Sequence, residues 1–160
     1  MRRFLDKKYL LFGILLLALS LVVLQTLKLR EYNTCIDERD VLSLRGNVYI
    51  TWAKTEAEQQ KGLSGHAPLL PEEGMLFAFP SASSHGFWMN KMLFPIDIIW
   101  LDRDLRVLSV VKSVTPESFP ESYYSPPEMQ YALEVTSGFA EERNVAAGDR
   151  ATLNLCSVVQ

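Results

Sequence analysis

Two acids stand out by their surroundings. Asp97 sits in Phe94-Pro95-Ile96-Asp97-Ile98-Ile99-Trp100-Leu101, and Glu134 in Tyr131-Ala132-Leu133-Glu134-Val135-Thr136. Each is the only charge in an otherwise apolar run. A carboxylate stranded in such a place costs several kcal/mol, roughly, unless it is hydrogen-bonded, paired or open to a pocket. Brought together, the two could act as general acid and base in a hydrolase, or hold the hydroxyls of a sugar. The plainer reading has each answering backbone donors or a lysine such as Lys91 or Lys112.

Residues beside Asp97 could wall a small-ligand site. Trp88 and Met89 supply aromatic and apolar surface, and Lys91 a cation, the mixture that small-ligand pockets use. In sequence alone the same residues are equally good core. The candidate ligand-binding set is therefore Trp88, Met89, Lys91, Asp97 and Glu134, with no catalytic residue assigned. His66 and His85 are the only histidines, and neither has a second His or Cys at metal-ligand spacing, so no metal or other cofactor is expected. Gly62-Leu63-Ser64-Gly65-His66 lacks the second glycine of a nucleophile elbow and follows a helix pattern instead of a strand. No phosphate-cradling glycine loop occurs.

These side chains need elements to hold them. Pro95 cannot donate to a ladder and breaks the apolar run into two strands. Ile96–Leu101 is apolar on both alternating faces, which predicts a strand covered on both sides. Leu105–Val114 returns after the Asp102-Arg103-Asp104 turn, making a hairpin. Further strands are expected at Val48–Ala53, Gly74–Phe79, Tyr131–Thr136 and Arg150–Cys156. Thr55-Glu56-Ala57-Glu58 matches a capping box that opens a helix ending near Gly62, and Phe139–Asn144 could form one helical turn. Thr115–Glu128, with four Pro and three Ser, reads as a long irregular loop of the kind that is often functional. The expected fold is mostly β, a compact barrel or sandwich with one short helix.

Ahead of this body lies a different kind of chain. Arg2, Arg3, Lys7 and Lys8 precede sixteen uncharged positions, Tyr9–Leu24. Extended to Leu29, the run is about 31 Å long as a helix, enough to cross a bilayer core. The basic flank places the N-terminus in the cytoplasm and Glu31 onward outside. Ala18-Leu19-Ser20, the one small-x-small site, sits mid-run, so an uncleaved single-pass anchor is expected over signal-peptide removal. The domain plan is then 1–30 basic flank and transmembrane anchor, 31–45 stalk, and 46–160 extracytoplasmic body. In that compartment Cys35 and Cys156 could form one disulfide closing most of the fold, on the order of 4 kcal/mol if unstrained. Beyond Arg30 the chain holds ten basic and eighteen acidic residues, a net charge of −8. Such a body is a poor nucleic-acid binder, since phosphate contacts need clustered Lys and Arg.

Several pieces fall in a recognisable order. They are Thr55…Gly62-Leu63 after the first strand, Glu73-Gly74-Met75-Leu76-Phe77-Ala78-Phe79, Phe87-Trp88-Met89, Phe94-Pro95-Ile96-Asp97-Ile98, Leu133-Glu134-Val135…Gly138, and Gly148-Asp149. From Val48 to Leu155 this order and spacing resembles the uncharacterised prokaryotic family catalogued as domain of unknown function 192. The resemblance implies a compact β-rich domain behind an export or anchor segment, and no particular activity. Two departures are visible: Asn90 precedes Lys91 where the family usually has Lys then Asn, and Ser64 stands where Met usually follows Gly-Leu.

The expected function is a membrane-anchored extracytoplasmic domain that binds a small ligand or an envelope component such as a glycan. A hydrolase using Asp97 and Glu134 is one alternative. A protein–protein interaction module of the cell envelope, marked by an exposed apolar patch in place of a pocket, is another.

Overall fold

The computed structural model describes residues 7–32 and 39–156, and within the first stretch the side chains of residues 12–25. The chain divides into two compact units, Met1–Asp37 and Glu38–Gln160. The described residues of the first form the helix α1 (Lys7–Tyr32). Among the described residues no helix is long and apolar enough to cross a membrane. The expected span Tyr9–Leu29 reaches beyond residues 12–25 on both sides, and Arg2, Arg3 and Cys35 lie outside the described residues.

The second unit is mostly β. Its strands are β1 (Val41–Ser43), β2 (Asn47–Ala53), β3 (Glu73–Ala78), β4 (Gly86–Trp88), β5 (Ile96–Leu101), β6 (Val107–Val114), β7 (Ser122–Tyr124), β8 (Tyr131–Thr136) and β9 (Thr152–Asn154). Seven of them form one sheet in the order β6-β5-β8-β3-β2-β1-β9, while β4 and β7 pair as a separate ribbon. The edges of the large sheet approach each other. Val107 N–H donates to the Asp149 carbonyl at 2.8 Å and Ala151 N–H to the Leu105 carbonyl at 2.9 Å, beside an isolated bridge between Arg106 and Arg150. The result is a curled half-barrel.

Among the described residues only β2 and β3 are parallel neighbours. A parallel pair needs a crossover, and the helix α2 (Glu56–Lys61) supplies it. Its capping box forms as the sequence demands: Glu58 N–H donates to Thr55 Oγ1 at 3.3 Å, and Thr55 N–H to Glu58 Oε2 at 2.8 Å. Gly62 ends the helix at φ +48°, a conformation that favours glycine. A second short helix, α3 (Phe139–Glu142), forms within the helical turn expected over Phe139–Asn144, while a 3-10 turn at Pro116–Ser118 and strand β7 interrupt the irregular loop expected over Thr115–Glu128. The body also begins earlier than residue 46, because β1 pairs with both β2 and β9 and Val41, Leu42 and Leu44 are buried.

Core residues lie on both faces of the sheet. One face gathers Leu76, Ile99, Leu101, Leu133 and Val135 against Phe139 and Ala140 of α3. The other gathers Met75, Phe77, Ile96, Ile98, Trp100 and Ala132 against Phe87, Met89 and Met92. All six residues of β5 are buried.

Asp97 is the polar exception on β5, and it is fully enclosed. Opposite it, β6 bulges: Ile96 pairs with Val114 and Ile98 with Val111, so two residues of β6 face one of β5. Ser113 in the bulge adopts φ +54°. Its N–H donates to Asp97 Oδ1 at 2.8 Å, and Ala140 N–H at the start of α3 donates to Oδ2 at 2.9 Å. One carboxylate thus ties the bulge to the helix that covers the core. Replacing it with Ala would orphan the buried Ala140 N–H, worth about 1–3 kcal/mol when left unsatisfied in the interior, and would remove the bond to the N–H of the exposed Ser113, worth about 1 kcal/mol net. Asp97→Ala is therefore expected to lower unfolding free energy by about 2–4 kcal/mol in denaturant titration, and a loss under about 0.5 kcal/mol would contradict this role.

Candidate functional site

Register decides which side chains can meet. β5 and β8 run antiparallel with Ile98 opposite Glu134 and Asp97 opposite Val135. Directly opposed residues share a face and sequence neighbours alternate. Glu134 therefore stands on the face of Ile98 and Trp100, and Asp97 on the face of Ile99 and Leu101. The structure does not bring the two carboxyls together. Asp97, with both oxygens engaged by main-chain amides, has no route to a ligand, and the paired-carboxylate chemistry expected of a hydrolase has no geometry here.

Glu134 has a different neighbourhood. It lines a cavity of about 470 Å³ bounded by α2, the end of β3 and the β4 ribbon. Its walls are apolar and aromatic: Leu63, Phe77, Phe79, Phe87 and Met92. Phe87 meets the Phe77 ring edge-on, with centroids 5.4 Å apart and planes at 78°, a favoured aromatic arrangement. Glu134 is 6 % exposed, and its Oε2 has no hydrogen-bond partner. Burial pushes its carboxyl up to about 8. At neutral pH the group is then mostly a neutral acid, offering one O–H donor and one carbonyl acceptor.

Local structure fixes the rest of the cavity. Gln59 Nε2 donates to the Ala78 carbonyl at 2.8 Å, pinning α2 to the end of β3. That leaves Lys54, Gln60 and Lys61 at the mouth. Lys54 Nζ lies 4.0 Å from the Trp52 ring centroid. His85 stacks on Phe79 with centroids 3.8 Å apart, and its Nε2 is 2.7 Å from Ser83 Oγ. Partial burial holds its imidazole below the usual histidine value, so at pH 7 the ring is mostly neutral. At Gly86 a side chain would press the Tyr124 ring, since a Cβ there would stand 3.2 Å from Cε1. Glycine lets β7 close over β4 at this point.

Of the five candidate ligand residues, the structure places Trp88 and Glu134 on this cavity. Trp88 is 47 % exposed. Met89 is buried in the core. Lys91 is exposed and adopts φ +56°, its carbonyl accepting from Gly65 N–H at 2.9 Å; its side chain does not line the cavity. Ser64 does, but its hydroxyl donates to the Asn90 carbonyl at 2.7 Å. Sequence reasoning missed Phe77, Phe79, His85, Lys54 and Lys61. The available signal was Phe77 and Phe79 at alternate positions closing a strand, with a capped helix immediately upstream. Among the described residues no group of three or more His, Cys, Asp or Glu could hold a metal ion.

The sequence profile of DUF192, described as an uncharacterised conserved family, matches residues 41–153. No curated protein matches the chain. Two solved structures are similar in fold. One, a Sinorhizobium meliloti protein provisionally described as a transcription regulator, superposes with a TM-score of 0.67 at 24% identity, covering 72% of this chain and 92% of that one. The other, a Novosphingobium aromaticivorans protein of unknown function, gives 0.65 at 27% identity, covering 71% and 83%.

A raised carboxyl has a defined effect on stability. Between the ordinary glutamate value and about 8, the folded chain keeps a proton that the unfolded chain has lost. Stability contributed by this group therefore falls as pH rises through that window and levels off above it, by about 5 kcal/mol in order of magnitude. Unfolding of the full chain from pH 5 to pH 9 is expected to show this decline, and Glu134→Gln to flatten it. An equal slope in both proteins would contradict the assignment.

Proposed function

The chain belongs to the DUF192 family, and on that premise we propose that its body binds a small ligand or an envelope component such as a glycan in the Glu134 cavity, outside the cytoplasm and tethered to a membrane. The observation carrying the binding half is the unpartnered Glu134 Oε2 at the base of an aromatic-walled cavity. A fold under no other demand would fill that position with an apolar residue, because burying an unmade hydrogen bond costs free energy. About 470 Å³ is room for one small molecule or one sugar unit. Trp88 at the opening offers a flat apolar face for a ring. No catalytic residue is assigned.

The tether is supported by the unbroken helix α1 and by its exposed apolar side chains, Phe12, Ile14, Leu15, Leu16 and Leu17 among them. The basic cluster before it favours a cytoplasmic N-terminus. A Cys35–Cys156 disulfide fits the same compartment. Cys156 N–H donates to Asp40 Oδ1 at 2.8 Å and Trp52 Nε1 donates to Oδ2 at 2.7 Å, so residue 156 ends beside residue 40. Five Cα-to-Cα steps, about 17 Å at full extension, separate residue 40 from Cys35.

Titration of the full chain in lipid nanodiscs against soluble glycans and cell-wall fragments is expected to give saturable binding. Trp88→Ala or Glu134→Leu should weaken it about tenfold or more. No binding, or affinity untouched by both variants, would overturn the reading. For the tether, alkaline phosphatase fused after Gln160 is expected to be active in bacterial cells, and the chain to shift on non-reducing gels unless Cys35 is replaced by Ser. An inactive fusion, or thiols that label fully without reductant, would remove it.

A further inference from the structure

Beyond its aromatic walls, the cavity carries polar groups at two separated levels, and together they define a narrower class of ligand. At the base, Glu134 presents an unpartnered oxygen among Phe77, Phe87, Leu63 and Met92. A neutral carboxyl there is donor and acceptor at once, the complement of an amide, which is acceptor and donor. The apolar groups around it suit a short alkyl chain on that amide. At the mouth stand Lys54 and Lys61. Neither makes an ion pair among the described residues. The one acid that lines the mouth, Glu56, accepts from Gln60 Nε2 at 3.3 Å. In a body of net charge −8, Lys61 and Lys54, the latter with its Nζ 4.0 Å from the Trp52 ring centroid and its charge also felt by Glu58, outnumber the one acid lining the mouth and make the opening a local site for an anion. Also at the opening, Trp88 leaves room for a ring to lie along its exposed face.

We propose that the ligand is an anionic N-acylated amino sugar, its acyl amide paired with Glu134, its ring against Trp88, and its carboxylate or phosphate between Lys54 and Lys61. The inference rests on the ligand-binding reading above and narrows it. A sugar with only hydroxyls would leave the apolar base unfilled, and one without the anion would leave the lysines unanswered. Whether the anion is a carboxylate or a phosphate ester is left to the probes, since lysine binds either as a point charge.

The experiment is calorimetric titration of the full chain in nanodiscs with four defined compounds. N-acetylmuramic acid and N-acetylglucosamine 1-phosphate carry both groups, N-acetylglucosamine lacks the anion, and muramic acid lacks the acyl amide. At least one of the first two is expected to bind about tenfold tighter than either of the last two. Lys54→Gln with Lys61→Gln should erase the advantage over N-acetylglucosamine. Glu134→Gln, which keeps a donor and an acceptor at the base, should retain the advantage over muramic acid, whereas Glu134→Leu should lose it. That contrast separates pairing with the amide from a merely structural effect of the position. Equal affinity for the neutral or the deacylated sugar would overturn the proposal. So would failure of all four compounds while cell-wall fragments still bind in a Glu134-dependent way, an outcome that leaves the broader reading standing. Failure of every compound and fragment would overturn both.

Discussion

Everything in the body depends on β5 and β8 being paired in one register while both faces of the sheet are covered. With Ile98 opposite Glu134 and Asp97 opposite Val135, two acids close in the sheet are sent to opposite sides of it. A slip of one residue would exchange the faces of every side chain on a strand. It would drive Ile99 and Leu101 out of one core and Ile96, Ile98 and Trp100 out of the other, so hydrophobic burial holds the register firmly. The positions of the polar groups follow from that packing.

The two acids illustrate opposite solutions to one problem. Asp97 is enclosed, and its oxygens receive amides from the β6 bulge and the start of α3. Its charge serves the architecture, fastening an irregular strand to the helix that caps one core. Glu134 is almost as deeply buried but receives no comparable answer at Oε2. Burial therefore favours its protonated form. Trp100 Nε1 is likewise buried without a partner, and Trp100 shares the Glu134 face. Unmade polar contacts concentrated on one side of a sheet otherwise well satisfied mark that side as the one shaped for something besides folding.

Much of the fold was legible because local pattern and tertiary packing agree. Ile96–Leu101 and Tyr131–Thr136 form as strands with the bounds that their apolar runs define, and the Thr55–Glu58 capping box opens α2 as written. β1 and β7 were not visible, since three residues carry too little periodicity to separate a strand from a loop, and the strand expected ahead of Pro95 is present only as the three residues of β4. Their existence comes from long-range partners: β1 from β2 and β9, and the ribbon from Gly86 meeting Tyr124. The half-barrel closure could not be read either, because it rests on backbone bonds between residues about forty apart near Arg106 and Arg150. Of the candidate cavity's lining, the sequence singled out Glu134 and Trp88. Sequence shows that Asp97 and Glu134 are unusual, but their faces are set by pairing register, which no local window contains.

The central claim is that Glu134 is a neutral carboxyl kept available at the base of a cavity. The most direct measurement is the ¹³C NMR titration of its side-chain carboxyl in the folded chain, assigned by its loss in Glu134→Gln. The account predicts a midpoint near 8, far above that of the exposed glutamates. A midpoint in the ordinary carboxylate range would show that water or an unseen partner already satisfies the group, and would contradict the account.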